Sequence, residues 1–138
     1  MKLKVIVVVL AITMLCNPVF GQNSAKDWND QGEALNSQGK YDEAIQAYDK
    51  AIQLDPNYAK AWSNKGMALV NMGKLDEAIQ AFAKAIWIDP SLSEAWYHKV
   101  NTLDKLGRHE EANKVLGEAI QLEIWISYIS ANLISSMY

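Results

Sequence analysis

Apolar and small residues return along this chain at helical spacing, and the same arrangement is written three times. Trp28, Gly32 and Leu35 lie one turn apart, as do Trp62, Gly66 and Leu69, then Trp96, Val100 and Leu103. Each triplet marks one face of a helix. A second stripe follows each: Ala44, Tyr48, Ala51 and Ile52, then Ala78, Phe82, Ala85 and Ile86, then Ala112, Leu116, Ala119 and Ile120. Between the stripes, "SQGKYDEA", "NMGKLDEA" and "KLGRHEEA" carry Gly39, Gly73 and Gly107. A residue free to take positive φ there ends one helix and lets the chain reverse. Asp42, Asp76 and Glu110 stand where the second helix begins, and a carboxylate at that point meets unpaired N–H groups and the positive end of the helix dipole. Pro56 and Pro90 stop the second helix.

The tryptophans, turn glycines and Ala44, Ala78 and Ala112 all recur 34 residues apart. One helical hairpin of that size cannot hide its apolar face, whereas stacked copies bury each face against the next. Trp, Gly, an apolar residue, the turn glycine, Ala, an aromatic, Ala and Pro at these offsets resemble the tetratricopeptide repeat. The resemblance covers residues 25–124 and implies an all-α, right-handed superhelical solenoid of three antiparallel hairpins, 25–58, 59–92 and 93–124. Within it, Gly32, Ala44, Gly66 and Ala78 would let helices approach closely. Repeat three departs from the pattern at Val100, Leu116 and Ile124, in place of glycine, aromatic and proline, so looser packing is expected there.

The same resemblance implies a concave groove lined by the first helices. By register it holds Lys26, Asn29, Asp30, Glu33, Asn36 and Ser37; Lys60, Ser63, Asn64, Met67, Val70 and Asn71; and Glu94, Tyr97, His98, Asn101, Asp104 and Lys105. Members that bind acidic chaperone tails carry a basic clamp in this groove. Here Asn64 alone matches the clamp, while Glu33 and Glu94 put acid where it needs Asn or Lys, so a terminal carboxylate would be repelled. The mixed polar lining, with an apolar patch at Met67, Val70 and Tyr97, fits a short segment of a partner protein. The competing reading of each residue is plain solvated helix surface. Trp87 stands where the other repeats have Gln53 and Gln121, which suggests either an exposed contact on the second helix or packing near Leu92.

With 138 residues, half of them apolar, the chain suits one domain with a packed core. The net charge of −3, with no basic cluster after the N-terminus, argues against a nucleic-acid partner. Lys2 and Lys4, the apolar run Val5 to Ile12 and the closing "NPVFGQ" follow the pattern of a secretory signal over residues 1–21, with Val19 and Gly21 placing the cut before Gln22. An uncut segment would instead anchor the chain in a membrane, although the run is shorter than the ~20 residues of a spanning helix. Cys16 is the only cysteine and would leave with the signal, so the exported chain would have no thiol, disulfide or Cys-held metal.

No catalytic, cofactor or metal residues are expected. "GRHEEA" is a turn, not a zinc helix, and His98 and His109 have no partners that the sequence advertises. After Ile124 the 34-residue register is lost. Trp125, Ile129, Leu133 and Met137 recur at near-helical spacing opposite Ser127, Ser130, Asn132 and Ser135, so residues 125–138 are expected to continue or cap the solenoid; membrane-surface contact is the other reading. The expected function is a non-enzymatic protein-binding adaptor, exported from the cytoplasm. The alternatives are a structural subunit of an envelope or membrane assembly and an accessory to a separate enzyme.

Overall fold

The computed structural model describes residues 23–135, with side chains through residue 123. Residues 1–21, expected to be a signal segment cut before Gln22, and the side chains of the tail from Ile124 onward lie outside the described residues. Among the described residues six helices follow in order: α1 Ala25–Ser37, α2 Tyr41–Leu54, α3 Ala59–Asn71, α4 Leu75–Ile88, α5 Ser93–Lys105 and α6 His109–Ser135. Each of α1, α3 and α5 is the first helix of a hairpin, and α2, α4 and α6 are the second helices.

The hairpins close through the same backbone device. Gly39, Gly73 and Gly107 take φ of 75°, 77° and 73°, and the N–H groups of Lys40, Lys74 and Arg108 reach back to the carbonyls of Leu35, Leu69 and Leu103 at 3.0, 2.9 and 3.0 Å. This satisfies carbonyls that the ending helix leaves free. The acidic residues expected to cap the second helices act differently. Lys40 and Lys74 hold the cap positions of α2 and α4 and make no side-chain cap bond, so Asp42 and Asp76, in the first turn, favour the helix start through its dipole and not as caps. Side-chain capping is found instead at α1, where Ser24 and Asp27 exchange hydrogen bonds. The second helices α2 and α4 end at Leu54 and Ile88, with Asp55 and Asp89 as their C-caps in front of Pro56 and Pro90. Those turns are then tied to the next repeat, because the indole N–H groups of Trp62 and Trp96 donate to the carbonyls of Pro56 and Pro90 at 3.2 and 2.9 Å.

The core is a chain of clusters that crosses repeat boundaries. Tyr48 and Phe82 are fully buried. The first rests against Ala68 of the following hairpin, and the second is stacked by His98 of the following hairpin, ring centroids 5.6 Å apart. Inside its own hairpin each ring occupies space that a side chain on the partner helix would need. A Cβ on Gly32 would stand 2.4 Å from Tyr48, and one on Gly66 would stand 2.5 Å from Phe82. In repeat three Val100 fills that space and Leu116 replaces the ring. Leu116 and Ile120 stay about half exposed, because no further hairpin among the described residues lies over them.

The backbones of α1 and α3, and of α3 and α5, come close to each other, whereas those of the second helices stay farther apart among the described residues and reach the neighbouring repeat only through side chains such as Ile45 and Ile79. The first helices therefore crowd together on the inner side of the curve and the second helices splay on the outer side. Exposed ion pairs cross the repeats at the rim: Lys65 with Asp49 at 2.6 Å, and Arg108 with Asp76 at 3.1 Å. Such pairs contribute at most ~1 kcal/mol each. With Ile124 where the earlier repeats have proline, nothing interrupts the backbone, and α6 continues helical through Ser135 for 27 residues. The tail thus continues the second helix of repeat three, one of the two forms expected of it.

The ring and glycine pairs predict a coupled mutational effect. Gly66→Ala should lower the melting temperature even though alanine favours helix by about 1 kcal/mol, because the overpacking costs roughly 1–3 kcal/mol. Gly66→Ala combined with Phe82→Leu, which replaces the ring by the aliphatic side chain found in repeat three, should lose less than the sum of the two single changes by thermal circular dichroism. Strict additivity would show that the two residues do not share the space.

Candidate protein-binding groove

The inner face is built by the three first helices, and its side chains fall into two zones. At the N-terminal end α1 and α3 are joined by a polar network. Asn29, fully buried, donates to Glu33 at 3.0 Å and accepts from the amide of Asn64 at 2.9 Å. The same Glu33 oxygen accepts from Asn64 at 2.8 Å and from the ammonium of Lys60 at 3.0 Å. Burial by itself would raise the Glu33 carboxyl, but donation from Lys60, Asn29 and Asn64 outweighs it and holds the group below the usual glutamate value. Lys60 is raised in turn, chiefly by its bond to Glu33. Further along the same helix pair, Asn71 donates to Asn36 at 3.3 Å. Lys26 and Asp30 pair with each other on the exposed side of α1.

The second zone is a recess of about 430 Å³ between α3 and α5, lined by Met67, Val70, His98, Asn101, Thr102, Asp104 and Lys105. Six of these seven were placed in the groove by register, and Thr102 is the addition. His98 stacks on the core ring of Phe82 and meets Tyr97 edge to face at 5.4 Å. Burial lowers its pKa, with Glu94 pulling the other way. The Thr102 hydroxyl, buried, donates to the His98 carbonyl at 2.7 Å.

Two of the expected groove residues are not at the surface. Asn29 is 0 % exposed and Ser63 is 1 % exposed. Both occupy the position that the next first helix covers. Tyr97 holds the same position in repeat three, where no next hairpin follows among the described residues, and it is 64 % exposed. Periodicity marks the face of a helix but not which repeat has a successor. Trp87 is 72 % exposed on the outer face, its ring beneath the Lys84 ammonium at 4.2 Å, which sets aside packing near Leu92. His109, at the start of α6, pairs with Asp104 at 3.0 Å.

A further recess, of about 350 Å³, was not foreseen. It lies between α5 and α6 and is lined mainly by Trp96, Tyr97, Val100, Leu116, Ala119 and Leu122. Leu116 in the place of an aromatic was the signal for it.

A curved stack of helical hairpins with a polar inner face defines a repeat scaffold rather than a closed-pocket domain. The sequence matches the family described as TPR repeat over residues 32–73 and as tetratricopeptide repeat over residues 59–92 and 93–123. The chain belongs to the tetratricopeptide repeat family. No curated protein matches it. Among solved structures it is similar to the second TPR of Spaghetti (RPAP3) bound to the HSP90 peptide SRMEEVD, with 29 % identity and a TM-score of 0.67 over 72 % of this chain and 93 % of that one. It is also similar to the second TPR domain of human RPAP3 in complex with the HSP70 peptide SGPTIEEVD, with 30 % identity and a TM-score of 0.66 over 72 % and 82 %. MamA matches with 29 % identity and a TM-score of 0.72 over 80 % of this chain, which spans 64 % of that structure.

His98 makes the stability of the groove depend on pH. The unfolded chain takes up a proton on this residue near pH 6.5, whereas the folded chain resists it. The unfolded state therefore binds more protons below that value. Stability should be level above about pH 6.5 and fall as the pH drops from there towards 5. Melting temperatures across that range should show the slope in the wild type and a reduced slope in His98→Gln. An unchanged slope in the variant would place the sensitivity elsewhere.

Proposed function

We propose that this chain is a non-enzymatic protein-interaction module that holds a short segment of a partner protein along the inner face of its solenoid. The observation that carries this reading is the recess between α3 and α5, where Met67, Val70, His98 and Asn101, residues of two different repeats, meet around one opening on the concave side. The mixture of thioether, aliphatic, imidazole and amide groups suits an extended peptide: side chains enter the apolar part and backbone amides meet Asn101. That two similar structures are TPR domains with bound peptides supports the same use. Lys26, Lys60, Glu94 and Tyr97 would form the rim.

The proposed site of action is outside the cytoplasm, on the strength of the leader-like residues 1–21, with the chain starting at Gln22 after export. Among the described residues no helix is long and apolar enough to cross a membrane. A second reading rests on the half-exposed Leu116 and Ile120 and on the continuation of α6 to Ser135. In it the end of the solenoid joins a larger assembly, with the tail as its cap.

The test is panning of a peptide library on the exported chain, whose first residue, expected to be Gln22, checks the export reading in the same preparation. Met67→Glu with Asn101→Ala should weaken the selected peptides about tenfold or more while leaving the helical signal intact. Trp87→Ala should have no effect. The reverse pattern would move the contact surface to the outer face, and no selected peptides at all would favour the assembly reading.

A further inference from the structure

The network on α1 and α3 has the composition of an anion site. An ammonium and two carboxamides, from Lys60, Asn29 and Asn64, converge on a single oxygen of Glu33 at distances of 2.8 to 3.0 Å. Three donors aimed at one point recognise a carboxylate by charge-assisted hydrogen bonds, whichever chain the carboxylate comes from. Here the chain supplies it. Asn29 has no access to solvent, so its amide needs a permanent partner, and Glu33 gives it one.

The donors are therefore committed before any partner arrives. An incoming carboxylate would have to displace Glu33, leaving that group without its compensating donors, or else sit beside it and bear the repulsion of two like charges. Glu94 adds to the effect, since it is close enough to Lys60 to raise the lysine further. The Glu33 side chain keeps 42 % of its surface exposed, so it faces any segment laid along the groove.

We propose that Glu33 is a built-in occupant of a carboxylate-binding position formed by Asn29, Lys60 and Asn64, and that it sets the specificity of this half of the groove. Partners that dock through a C-terminal carboxylate are excluded. The segment that binds meets Glu33 with a cationic or amide group. This rests on the reading of the inner face as a peptide groove, but it concerns the end away from the Met67 and Asn101 recess, so the two readings are tested separately.

The experiment uses the peptide SRMEEVD as the free acid and as its C-terminal amide, titrated by fluorescence anisotropy onto the wild type, Glu33→Ala and Glu33→Ser, with circular dichroism as the check on folding. The wild type should bind neither form below millimolar concentration. Either opened variant should gain at least tenfold for the free acid, with a clearly smaller gain for the amide, and adding Lys60→Ala should remove the difference between them. Wild-type binding as tight as that of the opened variants would overturn the proposal, as would no gain in a folded variant. An equal gain for acid and amide would reduce Glu33 to a general repulsive charge and overturn it too. Unfolding of both variants would make the residue structural only. Peptides selected on the Met67 and Asn101 recess serve as the control: their retained binding to the opened variants shows that the groove itself is unchanged.

Discussion

Everything in this solenoid depends on where two aromatic rings sit. Tyr48 and Phe82 each lie against a glycine of their own hairpin and beneath the first helix of the next one. Burying a ring of that size is favourable by roughly 1.5–3 kcal/mol, and the glycine is what lets the two helices of the hairpin come close enough to enclose it. The covering helix completes the enclosure, so no hairpin finishes its own core. Stability is a property of neighbours, which is the general behaviour of stacked repeats. The third hairpin, with Val100 and Leu116 in these places, has no ring to enclose and leaves its outer stripe open.

The curve that makes a groove is a consequence of the same contact. Covering each ring brings the backbones of successive first helices against one another, while those of the second helices stay farther apart. Side chains on the crowded side must then be paired or small. Asn29, Asn64 and Glu33 meet that demand with a closed polar network between α1 and α3. Thr102 and His98 meet it between α3 and α5 with a backbone hydrogen bond and a stacked ring. The recess at Met67 and Asn101 is what this packing leaves unfilled, and the proposed binding function uses that space.

Much of this was legible in the amino-acid order because a repeat states its packing three times. The 34-residue period, the glycines at positive φ and the stripes ending at proline correspond to helix starts at Ala25, Ala59 and Ser93 and at Tyr41, Leu75 and His109. Less legible were features that depend on what comes next in space. Asn29 and Ser63 have groove register but are covered by a following helix, while Tyr97 at the same register is exposed. The caps of α2 and α4 fall on lysines, two positions before the acidic residues expected at the helix start. The acid at position 33 could be read as repelling a carboxylate, but the three donors that close on it come from two helices and only the folded chain brings them together. Loss of proline at Ile124 did signal that the second helix need not stop.

The central claim, that each hairpin is held by the next, is tested most directly by native-state hydrogen exchange resolved by helix. Exchange should be slowest in α3 and α4, which have a neighbouring hairpin on both sides. It should be clearly faster in α6 between Leu116 and Glu123, which no further hairpin among the described residues covers. Equal protection of that part of α6 and of α4, or hairpins that open independently with similar free energies, would contradict it.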